Sequence, residues 1–231
     1  MRASLRKPAP ITLSFLLIEL ILYCFILTAG GTVLVACEFT AIVLCFIYAL
    51  IRAGKRAPLL VAALACTVCA DFCLVVREPI ERLWGMVFFL AAQTLYAVKL
   101  HRAVSGRSLL IVRIALVAAA ELVALVVLGE RADALALVSM AYYASLIANI
   151  LVSARRIKAS PLLFIGFVLF ILCDTVIGLQ VAADAYLPIT EGSWLYSVLF
   201  MGFNLSWLFY LPSQVCLALS GQHQQKRCSV D

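Results

Sequence analysis

Two aspartates, Asp71 and Asp174, each stand in a long apolar stretch of the chain. Residues 59–76 read LLVAALACTVCADFCLVV, in which Asp71 is the one charged residue. A charged side chain inside a bilayer costs at least about 3 kcal/mol on insertion scales, so such a residue usually serves a function. Two carboxyl groups that face each other in a low dielectric cannot both ionise cheaply. One can then act as an acid and the other as a base, the arrangement that hydrolysis without a metal needs.

An internal offset of 103 residues relates these two aspartates, and three basic or proline positions share it. The matched pairs are Arg52 and Arg155, Lys55 and Lys158, Pro58 and Pro161, and Asp71 and Asp174. Glu19 and Glu121 form a weaker match at an offset of 102. The pattern predicts an internal duplication with halves at about 11–107 and 108–219, each half contributing one intramembrane aspartate.

The composition predicts an all-α polytopic membrane protein. The chain is 65% hydrophobic and 13% charged, with a mean hydropathy of +1.10, which excludes an ordinary soluble domain. Apolar segments of about 20 residues recur along the 231 residues, so we expect one membrane domain over 1–231 without a separate soluble domain. Eight transmembrane helices fit, at about 11–28, 32–51, 59–76, 83–98, 108–128, 134–152, 162–182 and 193–219.

The lysines and arginines predict the orientation of these spans. Fourteen lie in the N-terminus, the tail and the loops on the same side, and three lie in the opposite loops. The positive-inside rule therefore places both termini in the cytoplasm, with 220–231 as a cytoplasmic tail. We expect an integral membrane location, in the plasma membrane or the cytoplasmic membrane of a bacterium. Four spans per half make the repeat parallel, so Asp71 and Asp174 lie at one depth, 13 residues after Pro58 and Pro161.

Other chemistries find little support in the sequence. The two histidines, His101 and His223, stand at a helix end and in the tail, so we predict neither a metal site nor a Ser-His-Asp triad in the membrane. The chain has no glycine-rich phosphate loop, and we predict no cofactor. The basic residues occupy short loops between spans, which argues against nucleic acid as a partner. The sequence does not specify an oligomeric state.

Intramembrane polar residues also have purely structural roles. Aspartates and glutamates often hydrogen-bond across a helix bundle or line a transport path. Glu19, Glu38 and Glu121 are individually more often structural or pocket-lining than catalytic. The buried amides are more often interhelical hydrogen bonders than ligands; these are Gln93, Asn149, Asn204 and Gln214.

Five short patches, in order along the chain, resemble motifs of the YhhN family, also called the lysoplasmalogenase family. Lys55 to Pro58 resembles a Lys-Pro motif, and Thr67 to Asp71 resembles Ser-x-x-Gly-Asp. The third patch resembles Gly-x3-Phe-x3-His-x2-Tyr and consists of Gly85, Phe89, Gln93 and Tyr96. The fourth resembles Gly-x3-Phe-x2-Ser-Asp and consists of Gly166, Phe170, Cys173 and Asp174. The fifth resembles Tyr-x3-Gln and consists of Tyr210 and Gln214. This chain departs from the motifs at Thr67 and Cys173, where the family has serine, at Ala70 for glycine, and at Gln93 for histidine.

The resemblance implies cleavage of the vinyl-ether bond of lysoplasmalogens, which releases a fatty aldehyde and a glycerophospho-base. The partner would be a lysophospholipid in the bilayer, and Asp71 and Asp174 would be the catalytic pair. The candidate substrate-binding residues are Gln93, Tyr96, Glu19, Glu121, Thr67, Tyr210 and Gln214. We expect the two aspartates, Gln93 and at least one of Glu19 and Glu121 to line one cavity, because unpaired charges that face lipid are too costly.

Two other functions remain open from the sequence. A small membrane transporter or a lipid-binding sensor could use the same aspartates as proton or substrate ligands. An intramembrane aspartyl protease is disfavoured, because Val68-Cys69-Ala70-Asp71 stands where those enzymes have Gly-x-Gly-Asp.

Overall fold

The structure is a computed structural model that describes residues 10–28, 30–77, 81–103, 107–185, 192–201 and 204–223. Most of these residues are helical, and they contain no strand. The helices are α1 (Pro10–Thr28), α2 (Gly31–Ala53), α3 (Pro58–Asp71), α4 (Arg82–Ala103), α5 (Arg107–Leu128), α6 (Ala134–Ala154), α7 (Pro161–Ala185), α8 (Trp194–Leu199) and α9 (Leu205–His223). A π-helical segment, Phe72–Val76, continues α3.

Seven helical segments in the described ranges are long and apolar enough to cross a membrane. They correspond to the first seven predicted spans, and the chain is a multi-pass integral membrane protein. The predicted span at 193–219 differs, because the structure divides it into the short helix α8 and the longer helix α9. Asn204 begins α9 with its carbonyl accepting from the Leu208 amide, and its side chain accepts from the Ser206 hydroxyl. Asparagine favours such a helix start over a helix interior, which accounts for the division.

Both aspartate-bearing helices begin at the prolines that the sequence pattern singled out. Proline is tolerated in the first turn of a helix, where its missing N–H has no intrahelical partner to lose. α3 starts at Pro58 and α7 at Pro161, so each aspartate lies the same number of residues into its helix. At 1.5 Å per residue, each stands about 20 Å along its helix from the proline.

Six helices form a closed ring. Going around it, α2 packs on α3, α3 on α4, α4 on α6, α6 on α7, α7 on α9, and α9 returns to α2. α1 packs outside this ring against α2 and α9, and α5 packs outside it against α6. The ring therefore places α3 and α7, which carry the aspartates, among the helices that share an interior.

A proline inside α9 leaves one backbone carbonyl without its helical partner, and a side chain from α1 satisfies it. Pro212 has no N–H to donate to the carbonyl four residues earlier, that of Leu208. The Tyr23 hydroxyl donates to this Leu208 oxygen at 2.9 Å. An unsatisfied carbonyl in hydrocarbon costs several kcal/mol, so this contact permits Pro212 in α9 and fixes α1 against it.

Candidate functional site

Each of the two aspartates accepts a hydrogen bond from a tyrosine on another helix of the ring. The Tyr210 hydroxyl of α9 donates to Asp71 Oδ2 at 2.6 Å. The Tyr142 hydroxyl of α6 donates to Asp174 Oδ2 at 2.5 Å. Both distances lie at the short end of the range for O–H···O hydrogen bonds. Each carboxyl group is thereby held in one orientation by a neighbouring helix.

The two tyrosines belong to one cluster of four aromatic rings, which we call the aromatic cluster: Phe89, Tyr142, Phe170 and Tyr210. Phe89 contacts Tyr142, Phe170 and Tyr210, with ring centroids 5.6, 5.7 and 6.4 Å apart. Phe170 also contacts Tyr142 at 6.3 Å and Tyr210 at 5.5 Å. The rings come from α4, α6, α7 and α9, so the cluster fills the ring interior and ties both aspartates to one site.

The Asp71 end of the site also contains a glutamate. Glu38 of α2 is buried, and its Oε1 accepts from Asn204 Nδ2 at 2.9 Å. The residues that follow these two acids, Phe39 and Phe72, have ring centroids 5.9 Å apart, which sets α2 and the end of α3 side by side. The carboxyl group of Asp71 lies within electrostatic range of both Glu38 and Asp174. Three carboxyl groups therefore share this region.

The backbone and the exposure of the two aspartates differ. Asp71 is 3% exposed and is the last residue of α3 before the π-helical segment. π-helical turns are rare and frequently occur at functional sites. Asp174 lies within the uninterrupted helix α7 and is only half-buried. The same residue type is therefore presented in a closed setting at Asp71 and in a more open one at Asp174.

Gln93, one helical turn after Phe89 in α4, belongs to a hydrogen-bonded chain. Asn149 Nδ2 of α6 donates to Gln93 Oε1 at 2.8 Å and to the Gln93 carbonyl oxygen at 3.0 Å. Arg113 of α5 donates in turn to Asn149 Oδ1 at 2.6 Å. Gln93 is fully buried, and its Nε2 has no partner.

The remaining candidates are buried in the helix bundle, and they differ in whether their polar atoms have hydrogen-bond partners. Tyr96 is fully buried against Phe167, at a centroid distance of 5.1 Å, and its hydroxyl has no partner. Gln214 is fully buried, one turn after Tyr210, with its Oε1 unpaired. Thr67 is also buried, but its hydroxyl donates to the Ala63 carbonyl of its own helix.

The two glutamates of the weaker repeat match have different surroundings. Glu19 is buried in α1 and accepts from Cys45 Sγ at 3.6 Å, while its Oε2 is unpaired. Cys45 also lies within electrostatic range of Asp71, which brings Glu19 near the site through one intervening residue. Glu121 is half-buried on α5, outside the ring, so the structure does not bring it beside the aspartates.

A pocket of about 620 Å³ lies away from the aspartates, at the connection between α2 and α3. One continuous segment, Leu50 to Arg56, lines it. Within the described part of the chain, no three His, Cys, Asp or Glu side chains group as metal ligands.

The sequence did not single out two residues that complete the site. Tyr142 was one of several tyrosines in apolar segments, and only its distance from the start of α6 could have matched it with Asp174. That distance is about 12 Å of helix rise from Ala134, against a bilayer core of about 30 Å. Arg113 lies within the predicted span at 108–128, but nothing in the sequence pairs it with Asn149.

A ring of apolar helices that carries two aspartates, each bound by a tyrosine, defines this chain as a polytopic helical membrane protein. The chain belongs to the YhhN family, whose model matches residues 32–221. The match covers all five patches that suggested the resemblance. No curated protein and no solved structure matches the chain.

Proposed function

We propose that this protein is a lysoplasmalogenase-like membrane hydrolase that cleaves the vinyl-ether bond of lysoplasmalogens with Asp71 and Asp174. The observation that supports it most is the attachment of both aspartates to one buried aromatic cluster through Tyr210 and Tyr142. Membership in the YhhN family is consistent with this function. The lipid substrate would reach the site from the bilayer.

The proposed reaction needs one acid, one base and one water molecule. The acid donates a proton to the vinyl carbon remote from the ether oxygen, which leaves an oxocarbenium ion at the carbon bonded to that oxygen. The base takes a proton from water as the water oxygen attacks this carbon, giving a hemiacetal. The hemiacetal hydroxyl then gives its proton to the deprotonated acid while the bond to the glycerol oxygen breaks, and this oxygen takes the proton held by the base. The products are a fatty aldehyde and a glycerophospho-base, and both carboxyl groups regain their starting protonation states. The second carboxyl group can serve both as base and as counter-charge to the cation.

We assign the acid role to Asp71 and the base role to Asp174. Asp71 is the more buried of the two residues, so it is placed to donate its proton to the substrate carbon away from water. Asp174 keeps accessible surface, as a residue that activates water requires. The tyrosines hold both groups in place, and a cation is attracted to the faces of nearby aromatic rings such as Phe89 and Phe170.

The order of helices around the ring supports a proposed parallel duplication. α2, α3 and α4 follow one another around the ring, and α6, α7 and α9 continue it in the same order. α1 and α5 then occupy matching places outside α2 and α6. With α9 as an eighth span, both termini would be cytoplasmic, as the distribution of basic residues predicts. Reporter fusions to each terminus test this, and an active periplasmic or luminal reporter at either end would contradict it.

The decisive experiment is the incubation of purified protein with a lysoplasmalogen and an assay for released aldehyde. We expect aldehyde from the vinyl-ether lipid and none from the matching lipid with a saturated ether, since a saturated ether has no carbon to protonate. The Asp174→Asn variant is the matched control for contaminating activity. If the unmutated protein releases no aldehyde from several lysoplasmalogens, the hydrolase proposal fails.

A further inference from the structure

Among the residues that the structure describes, five side-chain polar atoms are buried without a hydrogen-bond partner, and two of them lie one helical turn beyond the aromatic cluster. These two are Gln93 Nε2 and Gln214 Oε1, on fully buried side chains. The other three, which lie elsewhere in the bundle, are the Tyr96 hydroxyl, Glu19 Oε2 and Arg52 Nε. Buried polar groups nearly always have partners, because leaving one unpaired is costly, so a group of unpaired atoms points to a ligand or water between them.

Gln93 and Gln214 lie at one level, which follows from the directions of their helices. Phe89 and Tyr96 of α4 contact Phe170 and Phe167 of α7, in that order, so α4 and α7 are antiparallel.

The contacts of α9 with α7 give the same relation. Phe170 contacts Tyr210, and a side chain added at Gly166 would collide with Leu217, so α9 is also antiparallel to α7. α4 and α9 therefore run in the same direction. Gln93 and Gln214 each follow by one turn a ring, Phe89 or Tyr210, that belongs to the aromatic cluster.

Hydrogen bonding fixes which atom of the Gln93 amide is free. A guanidinium group only donates, so the Asn149 atom that faces Arg113 must be its oxygen. Asn149 Nδ2 then faces Gln93, which must present its oxygen in return. The Gln93 NH₂ group is consequently left as a free donor. On Gln214, Nε2 lies 3.4 Å from Ser213 Oγ, and the free atom is the acceptor Oε1.

We propose that Gln93 and Gln214 form a hydroxyl-binding subsite for the glycerol of the lipid, with Gln93 oriented by Arg113 through Asn149. This inference rests on the proposed function, since it assumes a glycerolipid at the aspartates. A hydroxyl group can accept from Gln93 and donate to Gln214 at once, which an ester or ether oxygen cannot do. An acylated glycerol in this place leaves the Gln214 acceptor unpaired, so the subsite selects lipids with a free hydroxyl next to the ether-bearing carbon.

The test is equilibrium binding of two radiolabelled lipids to the purified protein in nanodiscs. Both are saturated alkyl-ether lysophosphatidylcholines, which resist cleavage; one carries the free glycerol hydroxyl and the other carries hydrogen in its place. We expect the unmutated protein to prefer the hydroxyl lipid by at least about tenfold. Gln93→Met and Gln214→Met keep the length of the side chain without its amide and should reduce this preference below about threefold.

Two further comparisons separate recognition from general damage to the fold. Gln180→Met is the matched control, because Gln180 donates to the Leu199 carbonyl away from the subsite, and it should keep the full preference. Arg113→Lys retains a donor-only cation beside Asn149 and should also keep it, whereas Arg113→Met should weaken it. Thermal melting of each variant shows whether it is folded.

The subsite and the proposed function fail in different ways. An unmutated protein that binds neither lipid, or binds both equally, overturns the subsite. So does an unchanged preference in folded Gln93→Met and Gln214→Met, whether or not the protein cleaves lysoplasmalogens. A hydroxyl preference that depends on both glutamines, in a protein that releases no aldehyde, supports the subsite and contradicts the hydrolase function instead.

Discussion

Asp71 and Asp174 occupy the same place in two helices and yet have unlike surroundings. Each lies 13 residues after the proline that starts its helix, and each accepts from a tyrosine. Asp71 ends its α-helix at a π-helical segment and is closed off from solvent, whereas Asp174 lies in a continuous helix and is half-buried. The local surroundings can therefore give different chemical roles to two residues of one type.

The donors to the two carboxyl groups also come from different places. Tyr210 reaches Asp71 from α9, the second of the two helices into which the eighth predicted span is divided. Tyr142 reaches Asp174 from α6, the neighbour of α7 in both chain and ring. Glu38 and Asn204 add a further polar pair at the Asp71 end. These differences suit the assignment of Asp71 as the acid and Asp174 as the base.

The largest expected effect comes from neutralising either aspartate. Asp71→Asn and Asp174→Asn should each lower vinyl-ether cleavage by roughly 10²–10⁴-fold, because an amide can neither donate a proton to carbon nor accept one from water. The double variant should be little slower than either single variant, as for groups that act as one unit. Aldehyde release measured on folded protein gives all three rates.

The pH dependence of the same reaction sharpens the comparison. Cleavage should fall at high pH as the acid loses its proton and at low pH as the base gains one, which gives a bell-shaped profile for the pair. A high rate of vinyl-ether cleavage in either Asp→Asn variant would rule out the paired-carboxylate mechanism.

An intermediate effect should follow from removing one tyrosine hydroxyl at a time. Tyr142→Phe and Tyr210→Phe each delete one hydrogen bond to a carboxyl group, and such bonds to charged groups are worth about 1.5–3 kcal/mol. Tyr142→Phe should slow cleavage by about 10- to 100-fold, because its bond stabilises the ionised form of the proposed base. Tyr210→Phe should cost less, because the proposed acid works in its protonated form.

The control for both tyrosine variants is Tyr143→Phe, since the Tyr143 hydroxyl pairs with Thr175 on the same two helices that carry Tyr142 and Asp174. It should keep nearly full activity. Equal losses in Tyr142→Phe and Tyr210→Phe would contradict the assignment of different roles to the two aspartates, although not their participation.

The sequence predicted the helices better than the contacts between them. Composition and apolar length placed seven spans within a few residues, because a helix that crosses a bilayer must be long, apolar and internally hydrogen-bonded. The eighth was predicted as continuous, since its apolar residues run on through Asn204, and only the geometry reveals that a new helix starts there.

The sequence also predicted only part of the candidate site. Asp71 and Asp174 were evident because a carboxyl group is conspicuous in an apolar segment. Tyr142 and Arg113 were not, because a tyrosine or a basic residue near the end of a span has common structural roles, and its partner depends on how helices pack. The packing of helices depends on the shapes of many side chains together, and a single sequence does not show which of them are in contact.

The smallest expected effect concerns the glutamates, and it separates the closed Asp71 end of the site from the periphery. Glu38 is buried within range of Asp71, whereas Glu121 is half-buried on α5 outside the ring. Glu38→Gln keeps the shape and the hydrogen bond to Asn204 but removes a titratable group beside the acid. We expect it to change the rate by less than about tenfold and to move the high-pH limb of the profile, because a second titratable carboxyl group no longer stands beside the proposed acid. Glu121→Gln should change neither. Full pH–rate profiles of both variants and the unmutated protein test this prediction. If the high-pH limb shifts as much in Glu121→Gln as in Glu38→Gln, the closed surroundings of Asp71 do not set its role.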